Sequence, residues 1–375
     1  MTTRNYVKSL LFIAFCLLLS LFFATIPAAQ EEDIQLSPIG ALRLSNPITY
    51  MAGGSYVYCL NSCVLLIVDI SNPSDPQLVG KYRFCYNANM VSGPFSSLAL
   101  EWPYLYVPTQ GGFDILDVSD ATAPSLAGEY RFDDLENYTP MGIISPVGII
   151  HVKNGRALIS IAWEDSLETI DVSNVSSPRR LGKIAMAPSR NEYMQILWDG
   201  DSNAYALLGI NPISEYLGVE TRIFDLSSFD RPRLITTIAT PGAKSIYKDG
   251  DSLFIVAKST NTYRSATSTI QVYHIEEPNF PNPIATLGYD FIPGLFYPYG
   301  PYLFTRNYWD GRMLVLTKEK ESLRLVKDFP ESITPEYFLI HGDLLIGFKY
   351  DWEGNQWLTI YNISPKLSIS DFSLY

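Results

Sequence analysis

The chain reads as all-β, a seven-bladed β-propeller of four-stranded antiparallel blades preceded by an N-terminal signal helix. Three observations predict this. A phrase of about eighteen residues recurs along the chain, each copy reads as strands, and no convincing amphipathic helix lies beyond the N-terminus. The phrase runs LLIVDISNPSDPQLVGKY from Leu65, FDILDVSDATAPSLAGEY from Phe113, LETIDVSNVSSPRRLGKI from Leu167 and TRIFDLSSFDRPRLITTI from Thr221. Weaker copies start at Thr269, Met313 and Trp357. The anchors Asp69, Asp117, Asp171, Asp225, His274, Lys318 and Asn362 fall about 44–54 residues apart, a period that marks a repeat architecture.

Residues 1–29 read as a secretory signal. Arg4 and Lys8 precede an apolar stretch from Ser9 to Pro27, and Ala28 and Ala29 follow, the order of an export signal. Ile26 and Pro27 depart from the small residues preferred before a cleavage site, and the stretch is nearly long enough to span a bilayer. An uncleaved anchor is therefore the alternative. Cys16 is no lipidation site, because Phe15 stands where a small residue is needed. The expected location is secreted, periplasmic or cell surface, with membrane contact only through this segment if it is uncleaved.

Residues 30–375 read as one propeller domain. Within the phrase, LLIVDI and QLVGKYRF are short β-rich runs. An Asn/Ser/Asp/Pro turn separates them, and Pro76, Pro124, Pro178 and Pro232 stand just before the second run, where a missing N–H is tolerated. Two further runs precede each phrase: SLALEW and YLYVPT in the second repeat, GIIHV and ALISIA in the third, YFLIH and LLIGFKY in the seventh. Four strands in each of seven repeats give about 28 strands. A closed ring is favoured over an open solenoid because blades of this length are its usual unit and closure leaves short edges. SPIGALRLS, from Ser37, is similar to PQLVGKYRF and could complete the last blade; the C-terminal PKLSISDFSLY competes for that place.

The LLIVDIS, FDILDVS and ETIDVS copies resemble the LVIVD repeat of bacterial and archaeal secreted or surface propellers. The resemblance is clear in repeats one to four and weak in the last three. It implies a fold and an extracytoplasmic setting. It implies no reaction and carries no functional residues.

With 27 Lys+Arg against 39 Asp+Glu the net charge is −12, and loss of Arg4 and Lys8 with the signal leaves about −14. An acidic surface disfavours nucleic acid and anionic lipid. Cys59, Cys63 and Cys85 gather on blade one, where Cys59–Cys63 or Cys63–Cys85 could form a disulfide in an oxidising compartment. A three-thiolate metal site is the sharper reading, and a disulfide the expected one.

The connections from second to third strand and from one blade to the next vary most, and connectivity puts both on one face. They are rich in aromatic and acidic residues, as in DDLENYTPMG from Asp133, and AWEDS, which carries Glu164 and Asp165. Tyr308-Trp309-Asp310 and Tyr350-Asp351-Trp352 occupy equivalent links in blades six and seven. Read functionally they are an aromatic platform flanked by carboxylates, suited to an extracellular protein or a glycan. Read structurally they are hairpin turns.

No catalytic set stands out. His151, His274 and His341 form no metal-spaced group, and neither a GxSxG nor a phosphate-binding glycine loop is present. His151 and His341, in apolar inner-strand contexts, read as core or channel-lining. Glu164, Asp165 and Glu192 could serve as an acid/base pair, without a known distance. The expectation is a non-catalytic binding or scaffolding module with no cofactor and no metal. The alternative is an extracytoplasmic lyase, lactonase or glycosidase with its site at the channel mouth.

Overall fold

The computed structural model describes residues 34–44, 49–61, 64–84, 98–109, 111–132, 147–161, 166–185, 191–198, 202–210, 217–240, 243–258, 268–274, 283–291, 293–307, 310–319, 322–351, 353 and 355–364. No helix occurs among them; every element is a strand. Residues 1–29, read from sequence as a signal, lie outside the described residues.

The strands form seven four-stranded antiparallel sheets in a ring. The first strand, β1 (Gln35–Leu44), joins the last sheet. Blade one is β2 (Thr49–Gly53), β3 (Tyr56–Asn61), β4 (Val64–Asp69) and β5 (Gln77–Arg83). Blade two is β6 (Ala99–Glu101), β7 (Tyr104–Thr109), β8 (Gly112–Asp117) and β9 (Ser125–Arg131). Blade three is β10 (Val147–Lys153), β11 (Arg156–Ile161), β12 (Ser166–Asp171) and β13 (Arg179–Ala185). Blade four is β14 (Asn191–Trp198), β15 (Asn203–Ile210), β16 (Leu217–Asp225) and β17 (Arg233–Ala239). Blade five is β18 (Ala243–Asp249), β19 (Ser252–Lys258), β20 (Ser268–His274) and β21 (Ala285–Tyr289). Blade six is β22 (Tyr297–Tyr299), β23 (Tyr302–Arg306), β24 (Met313–Glu319) and β25 (Ser322–Phe329). Blade seven is β26 (Tyr337–His341), β27 (Leu344–Tyr350) and β28 (Gln356–Ser364), with β1 outermost. First strands of neighbouring blades pack together, as β2 does with β26 and β10 with β14, so they line the ring's centre.

All seven sequence anchors lie on third strands. Asp69, Asp117, Asp171 and Asp225 stand opposite the first residue of the second strand, Tyr56, Tyr104, Arg156 and Asn203. His274 and Asn362 keep that register, opposite Ser252 and Leu344. In blade six the residue at this place, opposite Tyr302, is Thr317, one before Lys318.

The anchor aspartates have a local purpose. Each accepts the backbone N–H two residues on, from Ser71, Ser119, Ser173 or Ser227, at 2.7–3.1 Å. A second bend follows, closed by the bonds Asp75 N to Asn72 O and Ser177 N to Asn174 O. These are Asx-type turns that start the return strand. Hydrogen bonds from Ser119 and Ser173 hold Asp117 and Asp171 below the usual carboxylate range. Ser227, with Arg233, holds Asp225 at about 2. A depressed folded-state pKa gives stability that is full above the unfolded value of about 4 and lost as pH falls through the folded one. The urea midpoint should therefore drop between pH 5 and pH 2, and Asp225→Asn should make that drop shallower. An unchanged slope in the variant would remove the turn from the acid response.

The core is divided into seams. Seven apolar clusters occupy the seven blade junctions, from Tyr58, Ile67 and Leu105 between blades one and two to Val57, Phe348 and Leu358 between blades seven and one. The seams are keyed by backbone contact. A Cβ built on Gly80 of β5 would lie 1.8 Å from the carbonyl oxygen of Ala121, in the turn of blade two. Gly128 of β9 stands in the same relation to Val175 of blade three at 1.7 Å, and Gly40 of β1 to Pro73 of blade one at 2.1 Å. A hydrogen side chain is what lets each turn seat on the preceding blade. The outer strand carries a register shift beside this glycine in blades one, two, three and seven, and an equivalent shift in blades four and six. Such bulges twist an exposed edge and protect it from pairing.

Candidate functional site

Blade connectivity sorts the links onto two faces. Links from first to second and third to fourth strands emerge on one side, the turn face. Links from second to third strand and from blade to blade emerge on the other, the loop face. β23 and β27 therefore end, and β24 and β28 begin, on the loop face, as do the end of β9 and the start of β10, opposite the 70–76 turn.

Where the loop face meets the channel, tyrosines come together from three blades. Tyr50 is the second residue of β2, Tyr297 opens β22, Tyr337 opens β26 and Tyr350 ends β27. Tyr50 stacks on Phe348 at 3.9 Å between ring centroids and meets Tyr337 edge-on at 6.3 Å. Tyr297 packs on Phe338 at 4.7 Å. Burial pushes the Tyr50 phenol far above its ordinary range, and Tyr297, Tyr337, the Cys59 thiol and Tyr350 push it further. Burial holds Tyr297 at about 12. These phenols stay neutral at physiological pH. Tyr337 and Tyr350 are 56% and 39% exposed, so the cluster reaches solvent. Glu336 joins its rim: its Oε1 lies 3.5 Å from the Tyr350 backbone N–H.

The carboxylates singled out from sequence are engaged in their own hairpins. Asp310 accepts the backbone N–H of Arg312 at 3.1 Å and its Nε at 2.8 Å. Burial pulls its pKa up, but hydrogen bonds from Arg312 and Asn307 leave it below the usual range. Asp351 accepts the backbone N–H groups of Glu353 and Asn355, the Asn355 side-chain amide and the Trp357 indole N–H. The Asn355 amide leads in holding it at about 2. Both aspartates thus organise turns, while Tyr350 stands exposed next to Asp351 in the chain. Tyr308, Trp309, Trp352, Glu164 and Asp165 lie outside the described residues.

Polar groups of the inner strands tie blade to blade. His151 Nε2 lies 2.9 Å from the Ile196 carbonyl of blade four, and His341 Nε2 lies 2.7 Å from the Gly54 carbonyl of blade one. Burial pulls the His151 pKa down. Gln195 accepts the Ile246 N–H at 2.8 Å, Ser245 donates to the Gly294 carbonyl at 2.9 Å, and Glu101 accepts the Gly155 N–H at 3.0 Å. Of two buried carboxylates, Glu168 of blade three crosses the seam to Tyr130 of blade two, while Asp114 pairs within blade two. Glu168 receives the Tyr130 hydroxyl at 3.0 Å and Arg180 at 3.3 Å, and Asp114 receives Arg131 at 2.5 Å. No group of three metal-ligating side chains occurs among the described residues. None of their helices could cross a membrane, since they contain none.

Cys59 carries a free thiol, fully buried between blades one and seven, and burial pushes its pKa up. Cys63 and Cys85 lie outside the described residues. Non-reducing peptide mapping of the protein produced in an oxidising compartment should link Cys63 to Cys85 and leave Cys59 alkylated only after unfolding. Rapid alkylation of Cys59 in the native protein would overturn its place in the seam.

Three stretches, residues 51–83, 92–131 and 159–185, match the LVIVD repeat. They cover the first three of the four clear copies. No curated protein matches the chain. Solved propellers match its fold. The WD40 domain of Toxoplasma gondii coronin aligns with a TM-score of 0.62 at 11% identity, covering 90% of each chain. Pseudomonas aeruginosa periplasmic gluconolactonase aligns at 0.55 and 12%, covering 76% of this chain and 85% of that one. A protein from Lactobacillus plantarum aligns at 0.52 and 12%, over 76% and 86%.

Sequence reasoning passed over Tyr50, Tyr297 and Tyr337. Their signal was present as aromatic residues at the starts of inner strands, in TYMAG, FYPY and YFLIH. What it lacked was the ring closure that puts residue 50 beside residue 337.

Proposed function

We propose that this propeller is an exported, non-catalytic binding or scaffolding module whose ligand or partner sits on the loop face over blades six, seven and one. One observation carries the reading: the convergence of four tyrosines from three blades, two of them exposed. Tyrosines offer flat apolar rings with hydrogen-bonding edges at little conformational cost, which suits an extracellular protein or a glycan. The inner-strand histidines support it further, since both are spent on neighbouring carbonyls rather than poised for proton transfer. Export rests on the Arg4, Lys8 and Ser9–Pro27 pattern. The second reading is an extracytoplasmic lactonase-type enzyme, favoured by the shared fold of the gluconolactonase neighbour alone.

The test is thermal shift of the purified mature protein against panels of glycans, peptides and divalent cations, with gluconolactone hydrolysis run in parallel. Stabilisation by a glycan or peptide without lactone turnover supports the binding module; turnover above buffer overturns it. Trp309→Ala, Tyr337→Ala and Trp352→Ala should leave the melting temperature nearly unchanged and weaken the bound ligand tenfold or more, about 2 kcal/mol for a contact anchor. A large fall in melting temperature for all three would make these aromatics structural, because truncating buried ones costs about 3–5 kcal/mol.

A further inference from the structure

Resting on that binding reading, the geometry points to the chemistry of the partner: a protein segment that presents an arginine to the seam between blades seven and one. Residues directly opposite in an antiparallel pair share a face, as do residues two apart on one strand. Tyr337 stands opposite Phe348, and Tyr350 opposite Gln356. Tyr337, Phe348, Tyr350 and Gln356 therefore share the face of blade seven on which Tyr50 of blade one stacks. Two rings of this face are exposed.

The hydrogen-bonding balance of the site is lopsided. Gln356 is 1% exposed, and its Oε1 has no partner. A buried acceptor without a donor is uncommon and calls for one from outside. The Glu336 carboxylate adds a second acceptor at the rim. Three cations of the surrounding hairpins are already committed. Lys349 donates to the Ser332 carbonyl at 3.0 Å, Arg312 to Asp310 and Asp328, and Arg43 to Asn355. What the surface offers is two phenol faces and a carboxylate, on a chain of net charge −12; the unpaired amide oxygen of Gln356 is buried across from Tyr350 and is reached only when that exposed ring moves aside. The site's complement is a flat cation with several N–H donors. A guanidinium stacks on tyrosine and donates in more than one direction at once. A lysine ammonium is more strongly hydrated and has no flat face, and a quaternary ammonium has no N–H for Gln356.

The test uses N-acetyl-arginine N-methylamide, with the lysine and citrulline counterparts, titrated into the mature protein by calorimetry and tyrosine fluorescence. The arginine probe should bind at least about tenfold more tightly than the other two, weaken as salt rises, and lose binding in Tyr337→Ala. Glu336→Gln should weaken it as well. Gln356→Leu supplies the control that a purely structural role would fail. It removes an unpaired buried acceptor, so the melting temperature should hold or rise while arginine affinity falls. Equal binding of all three probes, or arginine binding untouched by the variants, overturns the proposal. If a glycan or an arginine-free peptide binds in a Tyr337-dependent way while the arginine probe does not, the arginine assignment fails and the binding module stands.

Discussion

Gly128→Ala should destabilise the fold by about 2 kcal/mol or more, although it adds a single methyl group to a surface blade. The added Cβ would lie 1.7 Å from the Val175 carbonyl oxygen, 2.7 Å from its carbon and 3.3 Å from Ser176 Cα. All three atoms are backbone, and they belong to a turn that cannot give way freely. The Asx bond to Asp171 and the Ser177-to-Asn174 bond hold it, so relief has to come from shifting blade two against blade three. Gly80→Ala, with its Cβ 1.8 Å from Ala121 O, should behave alike. Gly182→Ala should cost less, because its nearest neighbour is the Pro232 ring at 2.6 Å rather than a carbonyl. Gly288 in β21 meets nothing within 4 Å, and alanine there should be neutral or slightly stabilising through the unfolded chain. Urea unfolding of the four variants reads the series directly. If Gly128→Ala unfolds at the wild-type midpoint, the seams slide and are not keyed.

These glycines show where sequence reading stops. Their recurrence in QLVGKY, SLAGEY and RRLGKI is plain, because a local phrase repeats. Their reason is not local: each serves a turn on the next blade, about 41–50 residues further on. The Asp-Ser and Pro signals translate well because an Asx turn is made within a few residues. That is why the third and fourth strands of blades one to four were legible. In blade six no Asp marks the turn, and apolar spacing alone put the anchor at Lys318, one residue past Thr317. The sorting of links onto a loop face followed from strand connectivity. The roles of Asp310 and Asp351 did not, since a carboxylate that closes a hairpin and one that awaits a ligand read alike in one dimension. The tyrosine cluster needed the closed ring, because Tyr50 meets Tyr337 and Phe348 only once the two ends of the chain come together.

Removing β1 should have the largest effect of all: a chain that starts after Leu44 is expected to lose cooperative unfolding and to aggregate. β1 pairs with β28 from Gln35–Ser364 to Leu44–Gln356 and supplies the outer strand of the last blade. Ile34, just before it, and Leu44 are buried, at 2% and 6% exposed, in the seams on either side of blade seven. Leu36 and Leu42 pack against the same two seams. Fully burying one such side chain stabilises by about 1.5–3 kcal/mol, so these residues together rival the 5–15 kcal/mol that holds a typical protein folded. Two further losses come with the strand. Gly40 no longer seats the Pro73 turn of blade one, so the seam that closes the ring opens. The outer edge of β28, including the exposed Trp357, becomes a template for pairing with other chains. Truncation after Ser364 should be tolerated by contrast, because β1 already fills the edge of β28 for which the C-terminal PKLSISDFSLY would compete. A circular permutant that places β1 directly after β28 separates strand loss from a changed N-terminus, and it should restore a single unfolding transition in urea. If the chain lacking β1 unfolds cooperatively near the wild-type midpoint, or if truncation after Ser364 does the greater damage, the ring is closed by the C-terminal segment and the assignment of β1 as its latch is wrong.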